Sequence, residues 1–310
     1  MTSNITIYDP NKQIVDLNTY SLKNINKEIT VSTITIVCKL NMDVDIQNVF
    51  LYIQLNKESI QSVIYNTQQR SLYKKENVDT DNITNKRLKK KKGNFYNQVT
   101  LHISTFNNRI LNVKLSRNGA IQMTGCKMIE ECNDVLNKLI QNLLTIKAIY
   151  ENNQFKDIYF VTKNISSKTD DISINDFKIA MINSNFSIGY SINRELLYKN
   201  LKQDGVSCTY EPQIHAGVDI KYTVNDKVVS IFIFQTGCII ITGAQNAIHI
   251  DESHKYVTNL LSKHKNDVIK EDIEKLDDMS MLKYFNINKE DINELTNINE
   301  LIKKNIKKMI

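Results

Sequence analysis

An α+β fold is predicted, made of two tandem copies of one unit: a curved antiparallel sheet with its helices on a single face, plus a helical extension at the C-terminal end. Three observations carry this. First, Ser116–Lys127 (SRNGAIQMTGCK) is written again at Phe234–Asn246 (FQTGCIIITGAQN). Gly119 and Gly237, Ile121 and Ile239, Thr124 and Thr242, and Gly125 and Gly243 are each 118 residues apart. A strand-turn-strand unit repeated at fixed spacing marks a tandem duplication. Second, the segments around both copies run in one order: strand, helix, four strands, helix. Third, 310 residues with 41% apolar content suffice for a buried core in each copy.

The implied organisation is an N-terminal arm (1–27), a first repeat (28–150) carrying a basic loop (71–93), a linker (151–175), a second repeat (176–265) and the extension (266–310). In the first repeat, Ile29–Leu40 (ITVSTITIVCKL) alternates β-branched and small residues as a two-faced strand does. Asp43–Leu55 then changes period. Val44, Ile46, Val49, Phe50 and Ile53 share one helical face, and acidic residues occupy the first turn, where the helix dipole favours them. A strand follows at Gln61–Tyr65. Strands are next expected at Asn97–Ser104, Arg109–Leu115 and Ala120–Thr124, with Asn107-Asn108 and Asn118-Gly119 as turns. Met128–Ile149 carries one wide apolar stripe and should pack on the sheet as a helix.

Asn152–Asn175 reads as a polar connector. The order then returns: strand Phe177–Tyr190, helix Asn193–Lys202 ending at Gly205 as a left-handed cap, strands Val206–Tyr210, Ala216–Val224, Lys227–Phe234 and Cys238–Thr242, and helix Ala247–Lys263. The second strands agree in sequence too, as SVIYN (Ser62–Asn66) and SCTYEP (Ser207–Pro212). In the extension, Ile292, Leu295, Ile298, Leu301, Ile302 and Ile306 give an amphipathic helix, read as docking on its own domain.

A sheet with helices on one face leaves the other bare, and an antiparallel sheet tolerates that when the bare face is solvated or binds something. Val31, Ile121, Thr124, Ile240 and Thr242 are assigned to it. A duplicated chain suits a ligand with its own approximate two-fold symmetry, and duplex DNA is such a ligand. Net charge is +6 with a pI near 8.8, values that permit nucleic-acid binding without requiring it. The charge is concentrated in Lys86, Arg87, Lys89, Lys90, Lys91 and Lys92, inside a stretch with almost no apolar content. It reads as a tether to phosphate, as a solvated loop or as a localisation signal.

Other chemistry finds little support. No glycine-rich phosphate loop, nucleophile elbow or carboxylate pair is present, so neither an enzyme nor a cofactor is expected. The five scattered cysteines lack zinc or disulfide spacing and read as buried or bystander thiols. His249, Asp251, Glu252 and His254 (HIDESH) fall at a helix start, where acidic residues are ordinary capping, and no metal is assigned. No apolar run approaches a membrane span and the first residues lack a signal-peptide pattern, so a reducing, intracellular setting is expected.

The doubled order, the G-x-I-x-x-T-G signature in each copy, VSTITIVCKLN (Val31–Asn41) and YEPQIHAGVDIKY (Tyr210–Tyr222) together resemble the TATA-box-binding protein family. FYNQVT, NVKLSRNGAIQMTGCK and the Asn-rich composition look most like its divergent members from large cytoplasmic DNA viruses. The resemblance covers roughly residues 28–265. It implies a saddle that binds the minor groove of AT-rich duplex DNA, with phenylalanine wedges kinking the duplex at both ends of the site. It also implies a factor resembling transcription factor IIB and an RNA polymerase as partners, and the host cytoplasm or the virion as location for a viral protein, the nucleus otherwise. Carried over by position, Val31, Thr124, Ile240 and Thr242 face the groove and Phe234 is one wedge. His215 stands where the opposite wedge belongs, Ser116 replaces another, and the last slot falls on Arg70 or Val99. The family's central asparagine slots hold Ile29 and Met181, with Asn183 placed to substitute. Lys89, Lys90, Lys91 and Lys92 add the phosphate tether. The alternative is an interaction or virion scaffold that keeps the fold without specific DNA binding.

Overall fold

The structure is a computed structural model describing residues 20–22, 24–73, 96–162 and 172–270. The N-terminal arm up to residue 19, residues 74–95 with the lysine cluster Lys86–Lys92, part of the connector and everything from residue 271 lie outside the described residues. In chain order the elements are β1 (Thr30–Leu40), β2 (Asp43–Val44), α1 (Ile46–Tyr52), β3 (Ile60–Tyr65), β4 (Gln68–Ser71), β5 (Gln98–Ser104), β6 (Ile110–Ser116), β7 (Ala120–Cys126) and α2 (Ile129–Leu144). They continue as β8 (Lys147–Glu151), β9 (Gln154–Ile158), β10 (Val161–Thr162), β11 (Ile174–Ser187), α3 (Arg194–Gln203), β12 (Cys208–Thr209), β13 (Val218–Val224), β14 (Lys227–Ile233), β15 (Cys238–Ala244) and α4 (Ala247–Val268).

The duplication is written into the strand order, β12-β13-β14-β15-β11-β1-β7-β6-β5-β3-β4. The first strand of each repeat, β1 or β11, lies at the middle and pairs antiparallel with the other, and the remaining strands of each repeat follow outward in matching sequence. This is the expected α+β duplication. By contacts, the described chain divides into two compact units. One holds the described residues through Phe186 with Lys221–Ile231 and Ile240–Tyr256; the other holds Ser187–Ile220, Phe232–Ile239 and the described residues from Val257.

In the first unit, α2 packs on β5 and β7, and α1 on β3 and β5. Val135, Leu136 and Leu139 of α2 are fully buried, as are Leu101, Val113, Met123 and Ile36 of the sheet. A buried charge is compensated at the start of α2. Glu131, fully buried, accepts from Arg109 Nη1 (2.9 Å) and from the Lys127 amide (2.9 Å), which satisfies a carboxylate that would otherwise be costly to desolvate. All five cysteines are free, four of them buried; burial pushes the Cys38 thiol up to about 12.

Both repeated turns need glycine for the same reason. Gly119 and Gly237 have φ of +79° and +77°, and a Cβ would lie 2.5 Å from Met42 O at the first and 2.1 Å from Tyr190 O at the second. Gly205, also left-handed at φ +74°, ends α3: Gly205 N–H donates to Lys202 O (3.1 Å) and Val206 N–H to Leu201 O (2.9 Å).

Several boundaries differ from expectation. The helix expected over Asp43–Leu55 shrinks to α1, because the Asp45 carboxylate caps it by accepting from the Gln47 and Asn48 amides and Asp43–Val44 pairs with β10. The helix expected to Ile149 stops at Leu144. Beyond it, Asn152 and Asn153 both take positive φ (50° and 62°), the hairpin turn that closes β8 on β9. The stretch 151–175 therefore carries β9, β10 and the opening of β11.

Candidate nucleic-acid interface

Side chains alternate across each strand, so the bare face can be read off burial. On β7, Ile121 and Met123 are buried, whereas Gln122 and Thr124 turn away from α2 and retain exposure. Ile121, expected on the bare face with Thr124, is therefore in the core. The two positions differ by three, and a period of two cannot place both on one side. On β15, Ile239 and Ile241 are buried and Ile240 and Thr242 are half-buried. Ile240 and Thr242 thus share the side of β15 opposite to Ile239 and Ile241.

Val31 departs from expectation for a different reason. Thr33 lies opposite Asn183, but Val31 lies opposite the fully buried Ser184, because the ladder shifts between Val31 and Thr33. This bulge turns Val31 to the helix side, into a cleft with Tyr20, Leu22, Met128 and Ile129. Ser32 takes the bare face in its place and accepts a hydrogen bond from Asn185 Nδ2 (2.5 Å).

Asn183 and Thr242 are brought together on that face. The Thr242 hydroxyl donates to Asn183 Oδ1, with Met181 Sδ 3.6 Å away. Thr124 lies opposite Thr35 of β1 and Asn112 of β6. That row continues in register through His102 of β5 to Ser62 of β3. Ser62 Oγ is 2.6 Å from His102 Nδ1, and Asn112 Nδ2 is 3.5 Å from His102 Nε2. Burial holds the His102 pKa below its ordinary value, so the row is neutral. Sequence reading missed this row, although His102 sits on the polar phase of a clean alternation. The 118-residue spacing places Ser230 at the position of Asn112 and Thr242 at that of Thr124, and in this half an exposed lysine, Lys221, donates to Ser230 Oγ (2.7 Å).

In the second unit, His215 stands in the exposed loop between β12 and β13, with its ring 4.6 Å from Phe232 and 5.7 Å from Phe234. Its Nδ1 lies 3.1 Å from the Gly217 amide nitrogen and 3.4 Å from Gly217 O, so the ring is tied to the backbone at the foot of the loop. A Cβ on Gly217 would lie 3.3 Å from both the His215 and Phe234 rings, a tight contact that the rings would have to shift slightly to admit. Phe232 is a third member of this cluster that the sequence did not single out.

Among the described residues, the positions of the first repeat assigned to wedges form no such cluster. Arg70 donates through Nη1 to Phe50 O and through Nη2 to Ile53 O (3.1 Å), which secures the end of α1, and Val99 is fully buried. Neither candidate for the last wedge slot is available. The β3–β4 hairpin, turned by Asn66 at φ 53°, occupies that region, and Ser116 ends β6 opposite Gln98. Lys89, Lys90, Lys91 and Lys92 lie outside the described residues.

The HIDESH residues serve local structure. His249 Nδ1 accepts from the Gln245 amide (3.2 Å), Asn246 Oδ1 accepts from the His249 amide (2.9 Å), and the buried His254 ring meets Phe186 edge-on at 4.5 Å. Among the described residues no group of three or more His, Cys, Asp or Glu side chains is placed to hold a metal ion, and no helix is long and apolar enough to cross a membrane.

Comparison with known proteins gives three results. The family model described as transcription factor TFIID (or TATA-binding protein, TBP) matches residues 176–264. A protein of Acanthamoeba polyphaga mimivirus named "TATA-box-binding protein-like" is 35% identical, over 85% of this chain and 76% of that protein. Among solved structures, Methanococcus jannaschii TBP is similar with a TM-score of 0.46 at 16% identity, over 76% of this chain and 99% of that one.

Proposed function

Because the chain belongs to the TATA-box-binding protein family, we propose that it is a transcription initiation factor that binds AT-rich duplex DNA in the minor groove and bends it mainly at one end of the site. The observation that carries this reading is the aromatic cluster of His215, Phe232 and Phe234, set against Ser116 and the β3–β4 hairpin in the first repeat. Wedges that unstack a base step cost about a few kcal/mol, which the wrapped surface offsets. With insertion confined to one repeat, the bend is shallower than a symmetric saddle produces.

The polar members fit minor-groove chemistry. Adenine N3 and thymine O2 are acceptors. With Asn183 Oδ1 taken by the Thr242 hydroxyl, Asn183 Nδ2 is the donor that this amide offers to them. Thr124, Ile240 and Thr242 supply the shallow contact surface. Lys89, Lys90, Lys91 and Lys92 tether phosphates and compensate for the missing wedges. A factor resembling transcription factor IIB and an RNA polymerase are the partners this role requires, in a reducing compartment such as the cytoplasm of an infected cell or the virion. The scaffold reading requires a blocked or inert face, and the retained exposure of Thr124, Thr242 and Phe234 supports DNA binding instead.

The test is a gel-shift and bend-angle comparison on AT-rich duplexes at one stated salt concentration, using the full chain, a variant lacking residues 71–93 and Phe234→Ala. Both variants should bind more weakly, and Phe234→Ala should lose most of the bend. Unchanged affinity in both variants overturns the reading.

A further inference from the structure

One guanidinium ties together both turns that carry the aromatic cluster. Asn193 caps α3 by accepting from the Glu195 and Leu196 amides, which leaves Arg194 as the first helical residue. Arg194 Nη1 donates to Ala216 O, Nη2 donates to Gln235 Oε1 (3.0 Å), and the guanidinium carbon lies 5.5 Å from the centre of the Tyr210 ring. Tyr210 and Ala216 are the two feet of the loop that holds His215, and Gln235 directly follows Phe234. We propose that Arg194 is a positioning residue that fixes the His215 loop and the Phe234 turn in register, so that both rings meet the duplex already aligned.

Apart from this clamp, the loop is held by the His215 ring, through Phe232, Phe234 and the Gly217 amide, and by a few backbone hydrogen bonds. Residues 211–216 are all exposed, Ile214 to 80%, and the loop's own hydrogen bonds run from the Ile214 and His215 amides to Glu211 O (2.9 Å each). A segment this open has to be ordered on binding unless something orders it beforehand, and ordering each rotamer-rich group on binding weakens association. The planar fork of arginine spreads its donors, so Nη1 and Nη2 each reach a different turn while the plane faces a ring; a lysine ammonium carries its donors on one atom and does not span the two turns in that way.

The first repeat supplies an internal contrast. There the capping residue is Asp45 and the first helical residue is Ile46, which is buried. The repeat without the aromatic cluster also lacks the arginine. Arg70 of that repeat donates instead to the carbonyls of Phe50 and Ile53.

This inference rests on the reading that the aromatic cluster inserts into DNA, and the experiment separates the two. Affinity and bend are measured on one AT-rich duplex carrying a fluorophore at each end, at fixed salt, for the full chain and for Arg194→Gln, Arg194→Lys, Gln235→Ala, Phe234→Ala and Arg194→Gln/Phe234→Ala. Arg194→Gln should weaken binding roughly three- to tenfold, the scale of ordering one or two side chains, and reduce the bend. Arg194→Lys should not restore either. The double variant should bind no more weakly than Phe234→Ala alone, because a positioning residue has nothing left to position. Additive losses make Arg194 a direct phosphate contact and overturn the proposal, as does wild-type behaviour of Arg194→Gln or full rescue by lysine. Should Arg194→Gln lower the urea midpoint, Gln235→Ala removes only one limb of the clamp. Its smaller loss should likewise vanish in the Phe234→Ala background, and persistence of that loss overturns the proposal. A wild-type chain that binds no AT-rich duplex overturns the proposed function and this inference together, whereas loss in Phe234→Ala without loss in Arg194→Gln overturns this inference alone.

Discussion

His102 shows how much one side chain in a sheet can report. It is held between Ser62 and Asn112 on the bare face of the first repeat, and burial lowers its pKa from the ordinary value of 6.5. A histidine that stays neutral in the fold but protonates freely in the unfolded chain contributes stability above pH 6.5 and withdraws it as pH falls toward the lower folded value. His249 and His254 are shifted in the same direction, chiefly by burial, so all three act together. Urea midpoints at pH 7.5 and pH 5.5 should therefore fall between the two pH values, and His102→Asn should show a smaller fall than the wild type. An equal fall in the variant excludes His102 as a contributor. The same scale explains a missed assignment, because His102 has no motif around it and becomes legible only once Ser62 and Asn112 are seen in register.

At the scale of elements, the repeated hairpins are the most constrained parts of the chain. Gly119 and Gly237 combine a left-handed backbone with a carbonyl where a Cβ would sit, Met42 O in one copy and Tyr190 O in the other. Gly237→Ala and Gly119→Ala should each destabilise by roughly 2–4 kcal/mol in urea denaturation, through strain and displaced backbone. A loss near zero in either one shows that its strand end yields freely. These turns were legible in the sequence because glycine, asparagine and strict alternation are local signals. The Gly205 cap was legible for the same reason. The bulge at Val31–Thr33 was not, since a single extra residue reverses which side faces the ligand and leaves no mark in the local composition. The β8–β9 hairpin lay between these extremes. Asn152-Asn153 is a turn signal, but the helix pattern before it ran on in phase and masked it. Arg70 was ambiguous because its role depends on α1, to which the chain in that region gives no pointer.

For the whole molecule, the proposed function makes a salt response the expected consequence of the net charge of +6 and of the lysines at 89–92. Association with duplex DNA should weaken steeply with salt, and deleting residues 71–93 should flatten the plot of log affinity against log salt by about 0.9 for each phosphate contact removed. An unchanged slope shows that the cluster touches no phosphate. The contrast between the hairpin turned at Asn66 and the cluster around His215 has a consequence for direction. A duplicated protein with equivalent halves fits a near-symmetric duplex equally well either way round, so the sequence of the site alone must say which way a polymerase faces. If, as proposed, the second repeat inserts its rings and the first does not, the two halves are no longer equivalent toward the duplex. On the proposed reading, an AT-rich site with no intrinsic polarity acquires one when the factor lands, and the start of transcription inherits its direction from the protein as well as from the DNA.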